Sequence, residues 1–216
     1  MRRRFLSVIL ALLAITGSAR AQRYDGNLHN YQTDNGLYSV YFGVRAGLVH
    51  SDVDGSKSLL KGSSNRTSFN LGVVAGFELT EAMPLFAEIG VSYVQKGGKT
   101  SGGELKSISY HLNYFEVPAV LKYIARISDD VTVQPLAGVW AAVGCGGHTK
   151  AAGAEFLSFG DNRFKRTDAG LRLGCGVSYQ KYLLELDYDY GLVNITHKAL
   201  GNGHTSAINL TLGMNF

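Results

Sequence analysis

The sequence predicts an all-β fold: an eight-stranded antiparallel up-and-down transmembrane β-barrel, preceded by a cleavable signal peptide. Three observations lead to this prediction. Eight segments alternate between apolar and polar residues, the connections between them are alternately short and long, and the strand glycines share a face with the charged residues. Alternation with a period of two indicates strands with two different faces. A length of 216 residues suits such a barrel as a single domain.

The N-terminal residues have the three parts of a secretory signal peptide. A cationic start, "MRRR", is followed by the apolar run "FLSVILALLAI" and by an Ala-Arg-Ala tripeptide that ends at Ala21. The apolar run is shorter than the roughly 20 residues that a membrane-spanning helix needs. We therefore expect a signal peptide over residues 1–21 with cleavage between Ala21 and Gln22. Residues 22–37 then form a polar N-terminal periplasmic segment, and residues 38–216 form the barrel domain.

The charge of the mature chain argues against a nucleic-acid partner. The full chain has 21 Lys and Arg residues against 17 Asp and Glu residues, a formal charge of +4. Four of the arginines and none of the acids lie in the leader, so cleavage leaves a formally neutral protein. We therefore expect no nucleic-acid binding.

The predicted strands follow one another as a meander. They cover residues 38–50, 66–79, 83–96, 107–126, 131–146, 165–181, 182–193 and 204–216. Tight connections are expected at 80–82, 127–130 and 180–182. Long connections, rich in Gly, Ser, Asn, Asp and Lys, are expected at 51–65, 97–106, 147–164 and 194–203. All the long connections therefore lie at one end of the barrel.

Glycine decides which face of the strands lies inside. A soluble barrel with an apolar interior, such as a lipocalin, shows the same alternation as a membrane barrel with an apolar exterior. Glycine weakens a strand, but the narrow interior of an eight-stranded barrel needs small residues beside charged ones. The strand glycines that share the charged face are Gly43, Gly47, Gly72, Gly76, Gly90, Gly138, Gly144, Gly146, Gly170, Gly174, Gly176, Gly191 and Gly213. The polar face is therefore predicted to lie inside and the apolar face against lipid.

Aromatic residues cluster near both ends of the apolar face. Those at the short-turn end are Tyr38, Phe77, Tyr123, Tyr179, Tyr182 and Phe216, and those nearer the long loops are Phe69, Tyr93, Tyr110 and Tyr190. Two aromatic girdles are typical of outer-membrane barrels. The sequence thus predicts location in the bacterial outer membrane, with outer-membrane lipid as a partner.

Several segments resemble those of a known family. The ending "LTLGMNF" is similar to the C-terminal signal read by the barrel assembly machinery, and this likeness assigns that role to Leu210, Leu212, Met214 and Phe216. The segments "YFEVPAVLKY", "VQPLAGVW", "DAGLRLGCGV" and "DYDYGLVNI" resemble the PorT-like outer-membrane β-barrel family. The likeness implies contact with the assembly machinery during biogenesis. Because some members of the family belong to a secretion system, it also suggests another envelope protein as a partner.

The inward face is predicted to carry a network of charged side chains. Its members are Arg45, Glu78, Glu88, Lys96, Glu116, Lys122, Asp168, Arg172, Glu185, Asp187 and Asp189. Because acids outnumber bases, we expect three-way pairing, or carboxyl groups that are hydrated or protonated. The network is expected to be structural and to take the place of a hydrophobic core.

Two local features of the strands carry further expectations. The apolar phase of the fifth strand changes from even to odd positions, which predicts a β-bulge near Tyr114 and Phe115. Cys145 and Cys175 fall on the outward face of neighbouring strands, and the turn signal "FGDNRF" lies near their midpoint. They are either a disulfide across that hairpin or two lipid-facing thiols.

The sequence offers no catalytic, cofactor-binding or metal-ligating set. It has no G-x-S-x-G elbow, and "SDVDGSKS" lacks the late glutamate of a calcium loop. We expect a non-enzymatic membrane-anchored protein, acting as a structural or interaction module through its extracellular loops. One alternative is an accessory component of an outer-membrane secretion apparatus, and another is an envelope enzyme acting on lipid or peptide.

Overall fold

A computed structural model describes residues 29–33, 36–55, 63–80, 82–102, 105–151, 154–159, 164–195 and 203–216. The signal peptide, with its cleavage site at Ala21 and Gln22, lies outside these residues. The strands are β1 (His29–Thr33), β2 (Gly36–Gly55), β3 (Ser63–Thr80), β4 (Leu85–Gly102), β5 (Leu105–Tyr123), β6 (Ala125–Arg126), β7 (Val131–Gly146), β8 (His148–Ala151), β9 (Ala154–Leu157), β10 (Thr167–Tyr179), β11 (Tyr182–Gly191) and β12 (Gly203–Asn215).

The eight long strands close into the predicted antiparallel barrel. Each pairs with the next long strand in the chain, and β12 returns to pair with β2 from Gly203↔Gly55 to Asn215↔Gly43. The backbones of Phe42 and Phe216 exchange two hydrogen bonds, of 3.0 and 2.9 Å, at the end of this seam. The final strand therefore closes the barrel. No helix in the described part of the chain is long and apolar enough to cross a bilayer.

The four short strands extend the sheet at its two ends. At the short-turn end, β6 pairs with β7, and β1 pairs with the first residues of β2. Val40 pairs with His29 on one side and with Phe77 on the other, so β1 continues the edge on which β12 ends. At the opposite end, β8 follows β7 along β5 and forms a hairpin with β9. We call this second end the outer end, because outer-membrane barrels carry their long loops outside.

Two of the expected long loops are mostly strand. Residues 97–106 were predicted to be a loop, but β4 continues to Gly102 and β5 begins at Leu105. In the same way, β2 reaches Gly55 and β3 begins at Ser63. The outer end therefore carries long β-hairpins, because the antiparallel ladder continues after the apolar alternation has ended.

The apolar face lies outside, as the glycine pattern predicts. Leu71, Val73 and Leu212 are 59%, 58% and 65% exposed, whereas Arg45, Glu116 and Lys122 are buried in the lumen. Small residues make room inside. A Cβ atom on Gly76 would lie 2.2 Å from the Tyr41 ring.

The predicted phase change in β5 is wrong. Tyr110, Leu112 and Tyr114 are buried inside the barrel, on the same face as Glu116. The β4–β5 register runs without a shift past Tyr114 and Phe115. The irregularity lies in β7 instead, where Asn113↔Gly146 is followed by Tyr114↔Gly144 and Cys145 is the extra residue. The apolar residues of β5 were assigned to lipid because apolar interior positions were not expected.

The suggested Cys145–Cys175 disulfide is also wrong. Both cysteines are free. The β7–β10 register pairs Val143 with Thr167 and Pro135 with Cys175, so the position opposite Cys145 is ten residues from Cys175. Ten residues of strand span about 33 Å, whereas bridged Cα atoms lie within roughly 7 Å of each other. The hairpin that follows β7 turns between β8 and β9, and most of "FGDNRF" lies outside the described residues.

Candidate functional site

The middle of the lumen holds two networks of buried ion pairs. In the first, Glu88 of β4 lies between two cations: Arg45 Nη2 is 3.0 Å from Glu88 Oε2 and Lys122 Nζ is 2.9 Å from Glu88 Oε1. Lys122 Nζ also contacts Glu185 Oε2 at 2.6 Å. Tyr41 Oη donates a further hydrogen bond to Glu88, at 2.7 Å. This network connects β2, β4, β5 and β11 across the barrel.

The second network is centred on Arg172 of β10. Arg172 Nη2 is 2.6 Å from Glu116 Oε1, and Nε is 3.2 Å from Asp187 Oδ1 and 2.7 Å from Asp189 Oδ1. Glu116 also accepts from Lys96 Nζ at 2.8 Å. One cation thus serves three carboxylates, which is the three-way pairing that the excess of acids predicts.

Neutral donors add to these contacts and hold two further carboxylates. Asn209 Nδ2 donates to Asp187 Oδ1 at 2.7 Å and to Asp189 Oδ2 at 2.9 Å. Asp168 Oδ2 accepts from Thr205 Oγ1 at 2.8 Å, and Glu78 Oε2 accepts from the Ser39 amide at 3.2 Å. Buried carboxylates need such partners because they are removed from water. The two networks therefore contain nine residues of the predicted set: Arg45, Glu88, Lys96, Glu116, Lys122, Arg172, Glu185, Asp187 and Asp189. We call these residues the ionic layer.

Towards the outer end, the lumen contains many apolar side chains. A cluster of buried residues fills it there: Tyr110, Leu112 and Tyr114 from β5, Trp140 and Ala142 from β7, and Phe159, Phe164 and Ile195 from the outer connections. We call this set the mouth cluster. Ring centroids lie 5.3 Å apart for Tyr110–Phe164 and 5.6 Å apart for Tyr114–Phe159. The barrel thus has an apolar core of its own, contrary to the expectation that ion pairs replace it.

Hydrogen bonds fold the connection between β9 and β10 into the mouth. The Ser158 amide donates to the Gly147 carbonyl at 3.0 Å, and Ser158 Oγ donates to the His111 carbonyl at 2.8 Å. Arg166 Nη1 donates to the Gly144 carbonyl at 3.0 Å. A Cβ atom on Gly144 would lie 2.5 Å from the Phe159 ring, so this glycine makes the space that Phe159 occupies.

A smaller apolar cluster and a small cavity complete the interior. Tyr41, Val74, Phe86 and Ile124 pack together towards the short-turn end. A cavity of about 30 Å³ lies beside the ionic layer, lined by residues that include Arg45, Asn70 and Arg172. A volume of this size holds one or two water molecules. Within the described residues, no group of three His, Cys, Asp or Glu side chains is arranged to bind a metal ion.

Outward-facing aromatic residues mark both edges of the lipid-facing band. At the short-turn end, Phe77, Tyr179, Tyr182 and Phe216 are exposed, while the side chain of Tyr38 lies outside the described part. At the outer edge, Phe69 and Phe115 flank Tyr93, with ring centroids 6.0 Å apart in each pair. We call these three residues the aromatic triplet. Tyr110 was predicted to join them but lies inside.

The lipid-facing band has the height of a bilayer core. From Phe69 to Leu79, β3 exposes apolar side chains over ten residue steps. With about 3.3 Å per residue and a strand tilt of about 40°, this length gives roughly 25 Å. The side chains of Leu210, Leu212 and Phe216 are exposed on the same outer face.

Comparison with known proteins identifies the family. Residues 30–197 match the family model described as "Outer membrane protein beta-barrel domain". The chain belongs to this family. The protein is therefore located in the bacterial outer membrane. No curated protein sequence matches the chain.

The chain is similar to several solved structures of outer-membrane proteins. Neisserial surface protein A is 17% identical with a TM-score of 0.51, over 81% of this chain and 97% of that one. A major outer membrane protein from Thermus thermophilus is 16% identical with a TM-score of 0.49, over 82% and 99%. Ail, the attachment invasion locus protein of Yersinia pestis, is 18% identical with a TM-score of 0.43, over 82% and 98%. At 17% identity, the likeness to Neisserial surface protein A concerns the fold alone.

Proposed function

We propose that this protein is a non-enzymatic interaction module, a membrane anchor that presents a β-sheet above the outer membrane to a partner protein or surface ligand. The observation that carries the proposal is the length of the β4–β5 hairpin. From Tyr93 in the aromatic triplet, β4 continues for nine residues to Gly102. At about 3.3 Å per residue and a tilt of about 40°, it extends roughly 23 Å beyond the bilayer core.

The opposite side of the barrel shows that this extension is local. Tyr190 occupies the outer end of the lipid-facing face of β11, and that strand ends one residue later at Gly191. Strands β2, β3, β4, β5, β8 and β9 are hydrogen-bonded in sequence, so they form one continuous sheet at the outer end. Rigid strands hold a binding surface more precisely than separate loops do.

The closed interior supports a role other than transport or catalysis. The ionic layer and the mouth cluster fill the lumen, and the cavity beside the ionic layer is far smaller than the roughly 300 Å³ of a typical ligand pocket. The buried carboxylates of the ionic layer are held by cations or by Asn209. Carboxylates fixed in this way are poorly suited to exchange protons with a substrate.

A shortened hairpin tests the proposal. Lys99 pairs with Ser109, so residues 100–108 can be replaced by an Asn-Gly turn without disturbing the barrel below. We expect cross-linking in intact cells, followed by mass spectrometry, to recover a partner with the wild type and to lose it with this variant. The matched control replaces residues 196–202 with the same turn, because the Ile195 amide already donates to the Gly203 carbonyl at 3.0 Å. Equal recovery from both variants would contradict a binding role for the β4–β5 hairpin.

The second candidate function is an accessory role in a secretion apparatus. It is supported by the likeness of "YFEVPAVLKY" and "DYDYGLVNI" to the PorT-like family. Deletion of the gene and comparison of secreted proteins separates the two candidates. Loss of a set of secreted proteins would favour the accessory role, whereas an unchanged set together with a lost surface partner would favour the interaction module. Turnover of lipid or peptide by the purified barrel would contradict both.

A further inference from the structure

We propose that a basic patch on the outer wall of the barrel binds the phosphate group of an outer-leaflet lipid. The patch consists of Arg66 from β3, His111 from β5, and His148 and Lys150 from β8. Its members on β5 and β8 lie in the outward-facing phase of their strands, and the patch is separate from the tip of the β4–β5 hairpin. The proposal therefore does not depend on the proposed function.

Arg66 and His111 are brought together across an intervening strand. A register shift between Asn65 and Asn70 marks a bulge in β3, and Arg66 Nη1 contacts His111 Nε2 on β5. Gly97 of β4 lies between them, opposite His111. A Cβ atom on Gly97 would lie 3.3 Å from Arg66 Cδ. Glycine at this position therefore leaves space for the Arg66 side chain to cross β4.

The cations on β8 lie on the same face. Lys150 pairs with Ser109, so continuing the antiparallel register by two residues places His148 opposite His111. Side chains at these positions alternate with those of Tyr110 and Thr149, which are buried. The neighbouring Glu155 Oε2 is 3.4 Å from Lys150 Nζ, but this pair is 51% and 62% exposed. Such exposed pairs are weak, so Lys150 can exchange this partner for another anion.

The depth of the patch indicates the ligand. His111 lies four residues from Phe115 of the aromatic triplet, towards the outer end. Four residues of tilted strand correspond to a height of about 10 Å. Because aromatic girdles lie at the level of the lipid headgroups, an outward-facing group slightly higher is beside the headgroups and sugars of the outer leaflet. A patch at this depth meets membrane lipid before it meets a soluble ligand.

The chemistry of the patch suits a phosphate. Arg66 and Lys150 supply charged donors, and arginine binds phosphate oxygens through two parallel N–H groups. His111 Nε2 faces an arginine donor and therefore accepts, which places the proton of the neutral ring on Nδ1 as another donor. A doubly charged phosphate would relieve the repulsion among these neighbouring groups.

The test compares two lipids that differ only in phosphate. The mature protein is refolded into phosphatidylcholine nanodiscs that contain a small fraction of diphosphoryl lipid A or of the same lipid after dephosphorylation. Lipid that remains bound after detergent exchange is counted by mass spectrometry. We expect the wild type to retain the phosphorylated form preferentially. Each basic side chain near a membrane contributes about a fivefold preference, so Arg66→Gln/Lys150→Gln should reduce the ratio about 25-fold.

The control removes the same charge at the opposite end of the barrel. Arg126→Gln/Lys181→Gln lies at the short-turn end and should leave the ratio unchanged, whereas Lys150→Gln alone, at an exposed position, should lower it about fivefold. Heat-modifiable gel mobility checks that each variant is folded. Equal retention of the two lipids by the wild type would overturn the proposal. Equal losses in both double variants, or displacement of the lipid by millimolar inorganic phosphate, would also overturn it.

Discussion

The middle of the lumen and its outer mouth meet along strand β5 but are stabilised by opposite chemistry. In the middle, Glu116 of β5 is held between Lys96 and Arg172. Two residues earlier on the same strand and the same face, Tyr114 packs against Phe159. Lys96 joins the two regions, because its Nζ lies 2.8 Å from Glu116 Oε2 and 3.6 Å from the centroid of the Trp140 ring. A side chain that points into the lumen can therefore be either charged or apolar, provided that its neighbours have the same chemistry or the opposite charge.

The two regions also differ in the source of their residues. Every member of the ionic layer belongs to a barrel strand, whereas the mouth cluster takes Phe159, Phe164 and Ile195 from the outer connections. The ionic layer consequently links five strands, β2, β4, β5, β10 and β11, across the lumen. The mouth cluster is completed by segments that can shift without breaking a ladder. Damage to the ionic layer should therefore cost more stability than damage to the mouth.

The largest effect is expected from Arg172→Met. It leaves Glu116, Asp187 and Asp189 without their shared cation, and an uncompensated buried charge costs about 3–5 kcal/mol. Unfolding of the refolded barrel in urea, followed by tryptophan fluorescence, measures the change. Lys181→Met, at an exposed position, is the control and should change the free energy of unfolding by less than about 0.5 kcal/mol.

Glu116→Gln sharpens this result within the ionic layer. The amide retains part of the hydrogen bonding to Lys96 and Arg172, and Arg172 keeps two carboxylates. We expect a loss of stability smaller than that of Arg172→Met in the same urea titration. A larger loss would mean that Glu116, rather than Arg172, is the centre of this network.

Phe159→Ala should have a smaller effect than Arg172→Met. Truncation of a buried Phe costs about 3–5 kcal/mol in a rigid core. Here the ring is on a connection that can relax into the space, so we expect about 2–3 kcal/mol in the same titration. A loss as large as that of Arg172→Met would show that the mouth cluster, although built from connections, is as important for stability as the ionic layer.

The ionic layer could be predicted from the sequence, whereas the mouth cluster could not. The lipid-facing residues of β2, β3 and β4 and the charges of the ionic layer were predictable, because alternation and glycine placement separate charged from apolar positions. Tyr110, Leu112 and Tyr114 were assigned to the wrong face because an apolar interior position looks like a lipid-facing one. If all odd-numbered residues of β5 from Ser109 onwards are assigned to the outer face, these three even-numbered residues fall inside and no bulge is needed.

Other features depend on contacts between distant segments. Phe159 and Phe164 lie in a connection, where no period indicates direction, and only Gly144 in the predicted inward phase provides space for one of them. The free state of Cys145 depends on the β7–β10 register, whose centre lies five residues before the midpoint of the two cysteines. The basic patch depends on a bulge in β3, which brings Arg66 to His111.

A glycine variant measures the fit of the mouth cluster. Gly144→Ala places a Cβ atom 2.5 Å from the Phe159 ring, so the ring must move. Overpacking of this kind costs about 1–3 kcal/mol. The same substitution in a Phe159→Ala background should cost much less, and the difference is the coupling energy of the pair. Equal costs in the two backgrounds would mean that Gly144 is needed for some other reason.

The smallest effect is expected in ion conductance. In planar bilayers the wild-type barrel should conduct no ions beyond background, because the ionic layer and the mouth cluster both fill the lumen. Phe159→Ala/Phe164→Ala opens only the mouth. The interior of an eight-stranded barrel is just wide enough for its own side chains, so the ionic layer should still block the lumen in this variant.

Steady channels from the wild type would contradict the closed interior and the non-transport role that rests on it. Channels from the double variant alone would show that ions can pass the ionic layer. The mouth cluster, and not the ionic layer, would then be the part of the interior that closes the lumen.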